Sequence, residues 1–508
     1  MQVFLFLCVC ALCTLSEGYT VTVNLESPRV LNIIGEKYIS WNVDPSCNRG
    51  FHETNFSNPN LIAGAQGLYP SRLRFGGSGA DNLVYSFSEN SPDCAAIDPT
   101  VCLTKPDYTL PGCLNASHWD RVYNLAKESG SDFIFGVSFG LEEACMAPKS
   151  YTWNSSNAAR LLNYVKANNQ SLWGLELGNE LNNEGGSPCF LQPQAQAAAV
   201  EKLAGLLAGT STVLIGPDTG YLNPQDWLSA YLPLVGNRLY SVTHHVYSGI
   251  SPKSFADPNK LDSTLPEIAW YTSLLQRLAP GTEIWAGEDG PIGGGNDGTC
   301  GVGSVCGTFA CVGWYADDLA LRSKHGFKQY NRQDLFGGAY GLLNSPTSKM
   351  ALGANEPVVI KPDYWTAFLW KRTLGTQVLN ATSSDPFLRA YAFTGPPPSP
   401  YSPKSCQSSN MQLLLLNLRN ETSLQVTLPP APNHFSAWLV SPQAGNPLGS
   451  QALINSVPAP GVIDVSTADP AAFLRGIIWP PISGEVAGGI TLPPLTTAFL
   501  CYLSLNNN

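Results

Sequence analysis

Between residues 38 and 335 the sequence alternates short apolar runs with amphipathic stretches about eight times, a rhythm that few folds accommodate. The apolar runs read as strands at 38–44, 72–77, 133–139, 172–177, 213–218, 240–247, 283–288 and 327–335. Helical periodicity follows near 117–130, 158–167, 194–208, 265–278 and 316–325. In the first helix Trp119, Val122, Tyr123 and Ala126 make one apolar face, and Gly130 stands at its end. The pattern predicts a parallel (β/α)8 barrel, which needs about 250 residues. The chain has 508, enough for a second domain. Beyond Thr376 the helical period disappears. A Pro-rich loop at 395–400 and short strands at 412–418, 423–428 and 436–440 predict a β-sandwich. Residues 19–25 alternate as one more strand.

A barrel carries its chemistry at the carboxyl ends of its strands. Two predicted strands end there in a carboxylate close to glycine: Leu175-Glu-Leu-Gly-Asn-Glu180 and Trp285-Ala-Gly-Glu288. Alternation along a strand places Glu176, Gly178 and Glu180 on one face. A carboxylate beside an apolar strand is costly unless it is solvated or paired. Alone, either acid fits a helix cap or an ion pair. Together, Glu180 and Glu288 are the pair that a glycosidase requires. Glu176 lies mid-strand and reads as a supporting acid.

Composition limits the partners. Charged residues make up 13% and the net charge is -10, which argues against nucleic acid. The first eighteen residues have an apolar core with Ser16 and Gly18 before Tyr19, the pattern of a cleaved signal peptide. Of fourteen cysteines, Cys8, Cys10 and Cys13 fall in that segment. The remaining eleven suggest up to five disulfides and one free thiol. Asn-x-Ser/Thr sequons at Asn55, Asn115, Asn154, Asn169, Asn380 and Asn420 agree with a secretory route, extracellular or lysosomal. No later run is long and apolar enough to predict a transmembrane segment. His244-His245 shows no accompanying metal-ligand set, so neither metal nor cofactor is expected.

Several segments in this order resemble the heparanase-like retaining β-glucuronidases of glycoside hydrolase family 79. They are Leu73-Arg-Phe-Gly-Gly77, Trp153-Asn-Ser-Ser-Asn-Ala158, Leu175–Glu180, Gly216-Pro-Asp218, Ser241-Val-Thr-His-His245, Trp285–Glu288 and Lys361-Pro-Asp-Tyr-Trp365. The resemblance implies a barrel over residues 38–376. It joins 19–37 to 377–508 as an accessory β-sandwich. It makes Glu288 the nucleophile and Glu180 the acid/base, with Asn179 on the sugar 2-hydroxyl. Asp44, Ser78, His245, Tyr247 and Tyr340 would line the sugar subsite, and Gly293 and Gly294 would approach a uronate carboxylate. The substrate implied is a glucuronate-containing polysaccharide or proteoglycan. The glycine run stands one residue nearer the nucleophile than in the family, and Ile292 replaces a common tyrosine. Segment 220–239 has a single basic residue, Arg238, where heparanase is basic, so a heavily sulfated chain is expected to bind poorly. The rivals are a retaining glycosidase for a neutral sugar and a catalytically silent glycan- or partner-binding protein on the same scaffold.

Overall fold

The computed structural model describes residues 19–46, 51, 53–87, 112–140, 151–183, 190–293, 300, 303–347, 351–430, 434–464, 466, 474 and 479–503. The signal segment, most of the Cys-rich stretch near 86–114, Gly294, Gly295 and the terminal residues 504–508 lie outside them.

Eight parallel strands close into a barrel. In order they are Ile39–Val43, Arg72–Phe75, Asp132–Val137, Gly174–Leu177, Val213–Thr219, Leu239–Tyr247, Glu283–Gly290 and Gln329–Arg332. Closure comes from pairing of the eighth strand with the first, Tyr330 opposite Ile39. Side-chain direction explains the apolar runs. Phe133 and Phe135 of the third strand pack outward on Trp119 of the helix Ala116–Ser129. Ile134, between them, points inward and joins Ile215 and Trp285 in a small separate apolar cluster. These three come from the third, fifth and seventh strands, the layering by alternate strands expected of a filled barrel. Arg72 of the second strand lies 4.0 Å from the Trp173 ring centre and 5.2 Å from that of Trp285.

Helices expected near 117–130, 158–167, 194–208 and 265–278 form as Ala116–Ser129, Ser156–Ala167, Pro193–Leu206 and Leu265–Leu278. The helix expected at 316 begins earlier, at Ala310. Beyond one-turn pieces at Pro258–Leu261 and Lys404–Gln407, three helices were not anticipated: Pro59–Gln66, Pro224–Val235 and Tyr364–Thr373. Every residue of the last is buried, so no polar face betrays its period. In Pro224–Val235 an internal Pro233 obscures the pattern.

Eleven of the remaining strands form one sheet, and two small sheets of three and two strands hold the others. Strand Tyr19–Ile33 sits inside it, antiparallel to Gln377–Ser383 and parallel to Leu424–Thr427, with register shifts between Leu25 and Asn32. Leu424 and Val426 share an apolar cluster with Phe435, Ala437 and Leu439 of strand His434–Pro442. Those two strands stand six positions apart in sheet order. At about 4.8 Å per strand a flat sheet would hold them nearly 30 Å apart. The sheet therefore curls so that its halves face each other, with the long Tyr19–Ile33 strand at the corner. Among the described cysteines, Cys300 bonds Cys306 and Cys406 bonds Cys501; Cys113 is also disulfide-bonded, and Cys311 is a buried free thiol.

Candidate active site

The two singled-out carboxylates reach the barrel mouth by different backbone devices. Strand four ends at Leu177, before Glu180, so strand alternation does not aim this residue. Gly178 has φ +82° and Glu180 φ +53°, and the Glu180 N–H donates to the Asp218 carbonyl at 2.7 Å. A left-handed turn, unusual for a residue with a side chain, presents this carboxylate. In strand seven Trp285 points inward, so strict alternation would turn Glu288 outward. A register shift between Ala286 and Glu288 restores the inward direction and sends Asp289 outward to Arg322 at 2.6 Å. Gly287 marks the bulge. A Cβ there would lie 2.8 Å from Thr243 Cβ and 2.9 Å from Asp218 Oδ1.

Arg74 of strand two organises what lies beneath. Its Nε donates to Glu176 at 2.6 Å and its Nη1 to Glu288 at 3.2 Å. Its Nη2 donates to Asn179 Oδ1 and Asp218 Oδ2, each at 3.1 Å. One guanidinium thus ties strands two, four, five and seven. Burial would lower its pKa, but Asp218, Glu176 and Glu288 together raise it. Because Arg74 is only a donor, it fixes which way the Asn179 amide faces. The amide nitrogen of Asn179 then donates to Ser78 Oγ at 3.3 Å.

His245 stands between three carboxylates. Nδ1 is 3.0 Å from Glu180 and 3.8 Å from Glu288, and Nε2 is 3.1 Å from Asp218. Burial would lower its pKa, but Glu288, Asp218 and Glu180 outweigh burial and hold it up at about 10. Asp218, which would be raised by burial, is instead held ionised by Arg74 and His245, well below the usual carboxylate range. Glu176 behaves oppositely. Burial is its largest influence and raises its pKa well above normal despite Arg74. Its Oε1 is buried with no partner as an acceptor. Protonation resolves that orphan, since a neutral Glu176 donates toward Asp218.

Tyr247, at the end of strand six, donates its hydroxyl to Glu288 Oε1, and its ring centre is 6.2 Å from that of Tyr340. Gly293 adjoins the same ring, its would-be Cβ 3.6 Å from Tyr247. Asp44 ends strand one. It accepts from Ser46 N–H at 2.9 Å, Ser46 Oγ at 2.6 Å and Gln333 at 3.1 Å, and a Cβ on Gly77 would lie 2.7 Å from its carboxylate. Glu180 is the more open acid, 19% exposed against 7% for Glu288, and Asn183 donates to its Oε2 at 3.0 Å. Thus Ser78, Asn179 and Glu180 gather on one side, Glu288, Tyr247, Tyr340 and Gly293 on the other, and His245 between. In the sequence Arg74 and Asp218 stand inside longer motifs. Their signal was charge in buried strands, which demands partners. Donor atoms of Glu180, His245 and Glu288 all lie within 4.8 Å of one another. A cation could use them only by displacing Arg74 and the ring protons of His245, which already supply positive charge.

Fold and site together define a (β/α)8 glycosidase architecture. Its backbone superposes with TM-score 0.62 on a 4-O-α-L-rhamnosyl-β-D-glucuronidase from Fusarium oxysporum 12S, over 95% of this chain and 100% of that one, at 14% identity. Residues 39–320 match the model for the glycosyl hydrolase family 79 N-terminal domain, and the chain belongs to that family. Similar proteins include heparanase-like protein 2 of Arabidopsis thaliana, 28% identical over 74% of this chain and 67% of that protein. Baicalin-beta-D-glucuronidase of Scutellaria baicalensis is 27% identical over 74% of this chain and 71% of its own length. The chain is a glycosyl hydrolase of the heparanase and β-glucuronidase type.

Proposed function

We propose that this protein hydrolyses β-glucuronosyl linkages in glucuronate-containing glycans with retention of configuration, Glu288 acting as nucleophile and Glu180 as acid/base. The observation that carries the reading is the approach of these carboxylates, with oxygens within 4.8 Å. Retaining enzymes hold the pair about 5–5.5 Å apart, whereas inverting enzymes leave roughly 6.5–9.5 Å for a water. Glu288 attacks the anomeric carbon while the bond to the leaving oxygen breaks, and Glu180 protonates that oxygen. Glu180 then takes a proton from water, which displaces Glu288. Arg74 and Tyr247 orient the nucleophile through their hydrogen bonds. His245 Nδ1 lies 3.0 Å from Glu180 and holds the acid/base carboxyl in place. Asn179, its carbonyl fixed by Arg74, offers its amide to the 2-hydroxyl. Asp44 and Tyr340 bound the sugar, and Gly293 and Gly294 take the uronate carboxylate.

The glucuronide assignment draws on relatives whose names specify that sugar. We take residues 38–376 as the catalytic unit and 19–37 with 377–508 as the accessory one. Buried arginines do not add a polyanion site. Arg74 and Arg332 are 1% and 0% exposed, and Arg332 pairs with Asp363 at 2.9 Å. The decisive experiment compares aryl β-D-glucuronide with aryl β-D-glucoside and follows the first-formed anomer by NMR. β-Glucuronic acid as first product supports the reading. An α product refutes retention, turnover of the glucoside alone selects the neutral-sugar reading, and inertness to both selects the silent scaffold.

A further inference from the structure

A cavity of about 470 Å³ opens beside the carboxylates, walled by Tyr221, Asp226, His245, Tyr247, Glu267 and Trp270 among others. Its place follows from the backbone. Asn183, which donates to Glu180 Oε2 at 3.0 Å, accepts the Leu222 N–H at 3.0 Å through its Oδ1. Asn182 likewise accepts the Gly220 N–H at 2.7 Å. The wall carrying Tyr221 is therefore fastened to the acid/base side. Asp226 lies in the first turn of helix Pro224–Val235, and Glu267 and Trp270 in the first two turns of Leu265–Leu278. Helix amino ends in a barrel face the catalytic mouth.

The acid/base protonates the oxygen that leaves, so the leaving group must occupy the Glu180 side. The lining supplies two accessible aromatic rings, Tyr221 at 70% exposure and the half-buried Trp270, and no Lys or Arg. Asp226 is exposed and already supplies the negative charge that a helix amino end favours. Glu267 is turned inward, 3.5 Å from His244 and 3.7 Å from Arg322. Resting on the catalytic roles proposed above, we infer that this cavity is the leaving-group subsite, and that it takes an uncharged leaving group whose flat apolar face stacks on Tyr221 and Trp270 while rejecting a sulfated or carboxylated one.

Three β-D-glucuronides of identical sugar test this: the glucuronyl fluoride, a neutral 4-methylumbelliferyl glucuronide, and the same aryl glucuronide bearing a sulfonate. The fluoride fills no aglycone pocket and tests the sugar reading alone. The sulfonate makes the phenol a better leaving group, so slower turnover reports the pocket and not the chemistry. The neutral aryl substrate should exceed the sulfonated one about tenfold in kcat/KM at low salt, with the ratio narrowing as salt rises. Tyr221→Ala and Trp270→Ala should each lower neutral-aryl kcat/KM relative to fluoride by roughly three- to tenfold. Asp226→Lys should raise the sulfonated rate relative to the neutral one. Absence of fluoride turnover would defeat the glucuronidase reading and this inference with it. Fluoride turnover with the sulfonated substrate equal or faster, or with ratios unmoved in both aromatic variants, overturns the leaving-group assignment alone.

Discussion

Replacing His245 by Gln separates a catalytic charge network from mere packing. The ring has 1% exposure and faces Glu180 at 3.0 Å, Asp218 at 3.1 Å and Glu288 at 3.8 Å. Moving its pKa from 6.5 to about 10 corresponds to roughly 5 kcal/mol of preference for the charged form. The folded-state value is the raised one. The contribution is therefore fully present below pH 6.5 and is lost as pH climbs toward about 10. Between those limits it declines by about 1.4 kcal/mol per pH unit. At pH 9 little more than about 1.4 kcal/mol remains. Glutamine cannot carry the charge, so its stability lacks this slope.

The readout is the melting-temperature gap between wild type and His245→Gln, measured at pH 6 and pH 9. Entropies of unfolding near 2.1 cal/mol/K per residue imply about 1 °C per kcal/mol for a chain of this size. The gap should thus be about 3 °C wider at pH 6 than at pH 9. Groups remote from His245 cancel in the difference. A packing defect alone would give the same gap at both pH values, and that outcome would refute the network. The variant should also lose more activity on substrates with poor leaving groups than on activated ones. Those depend on proton delivery by Glu180, which His245 holds at 3.0 Å.

Glu288→Gln should lower kcat by at least roughly 10³-fold while the protein stays folded, read by steady-state assay and calorimetry. Glu180→Gln should lose about 10²–10⁴-fold on a natural glycan and much less on an activated aryl glucuronide. Arg74→Lys keeps one charge but cannot span four strands. A loss near 2–3 kcal/mol in the transition state, about 30–150-fold in kcat/KM, is expected, and a rate within threefold of wild type would contradict the role of the guanidinium. Desulfated glucuronate glycans should be cut faster than heparan sulfate at matched uronate concentration; faster cutting of the sulfated chain, falling steeply with salt, would expose a basic cleft.

The barrel was legible because its strands carry apolar residues toward the helices, as Trp41, Leu73, Phe133 and Leu175 do, and sit at the positions read from sequence. Most helices with a polar face were equally legible, Pro224–Val235 with its internal Pro233 excepted. Tyr364–Thr373 was not, since it is buried on every side, and the helix at Ala310 begins without a side-chain cap to announce it. The strands of the C-terminal sheet were partly legible. Its curl depends on Tyr19–Ile33 bridging distant segments, which no local pattern encodes. Glu180 and Glu288 stood out by position, yet the geometry that aims them did not follow from alternation. Gly178 with φ +82° and the bulge at Gly287 redirect the chain, and in sequence each is only a glycine near an acid.

Sequence also cannot assign protons among neighbouring acids, and here that assignment determines the division of labour. Glu176, Glu180, Asp218 and Glu288 surround two cations, Arg74 and His245. Were all four acids ionised, two would lack compensation inside a buried site. Burial keeps Glu176 neutral, so the Arg74 charge is left to Asp218 and Glu288. Asp218, ionised, then draws on the Nε2 side of His245 and turns Nδ1 toward Glu180. Of the four acids around these cations, Glu180 is the most open to solvent. Glu288 accepts from the Arg74 guanidinium and the Tyr247 hydroxyl, with His245 3.8 Å away. On the roles proposed above, the nucleophile is the more enclosed acid, held by a guanidinium and a phenol, and the acid/base is the more open one, where a leaving oxygen can reach it. By this reasoning the two acids differ through their neighbours, since their side chains are chemically identical.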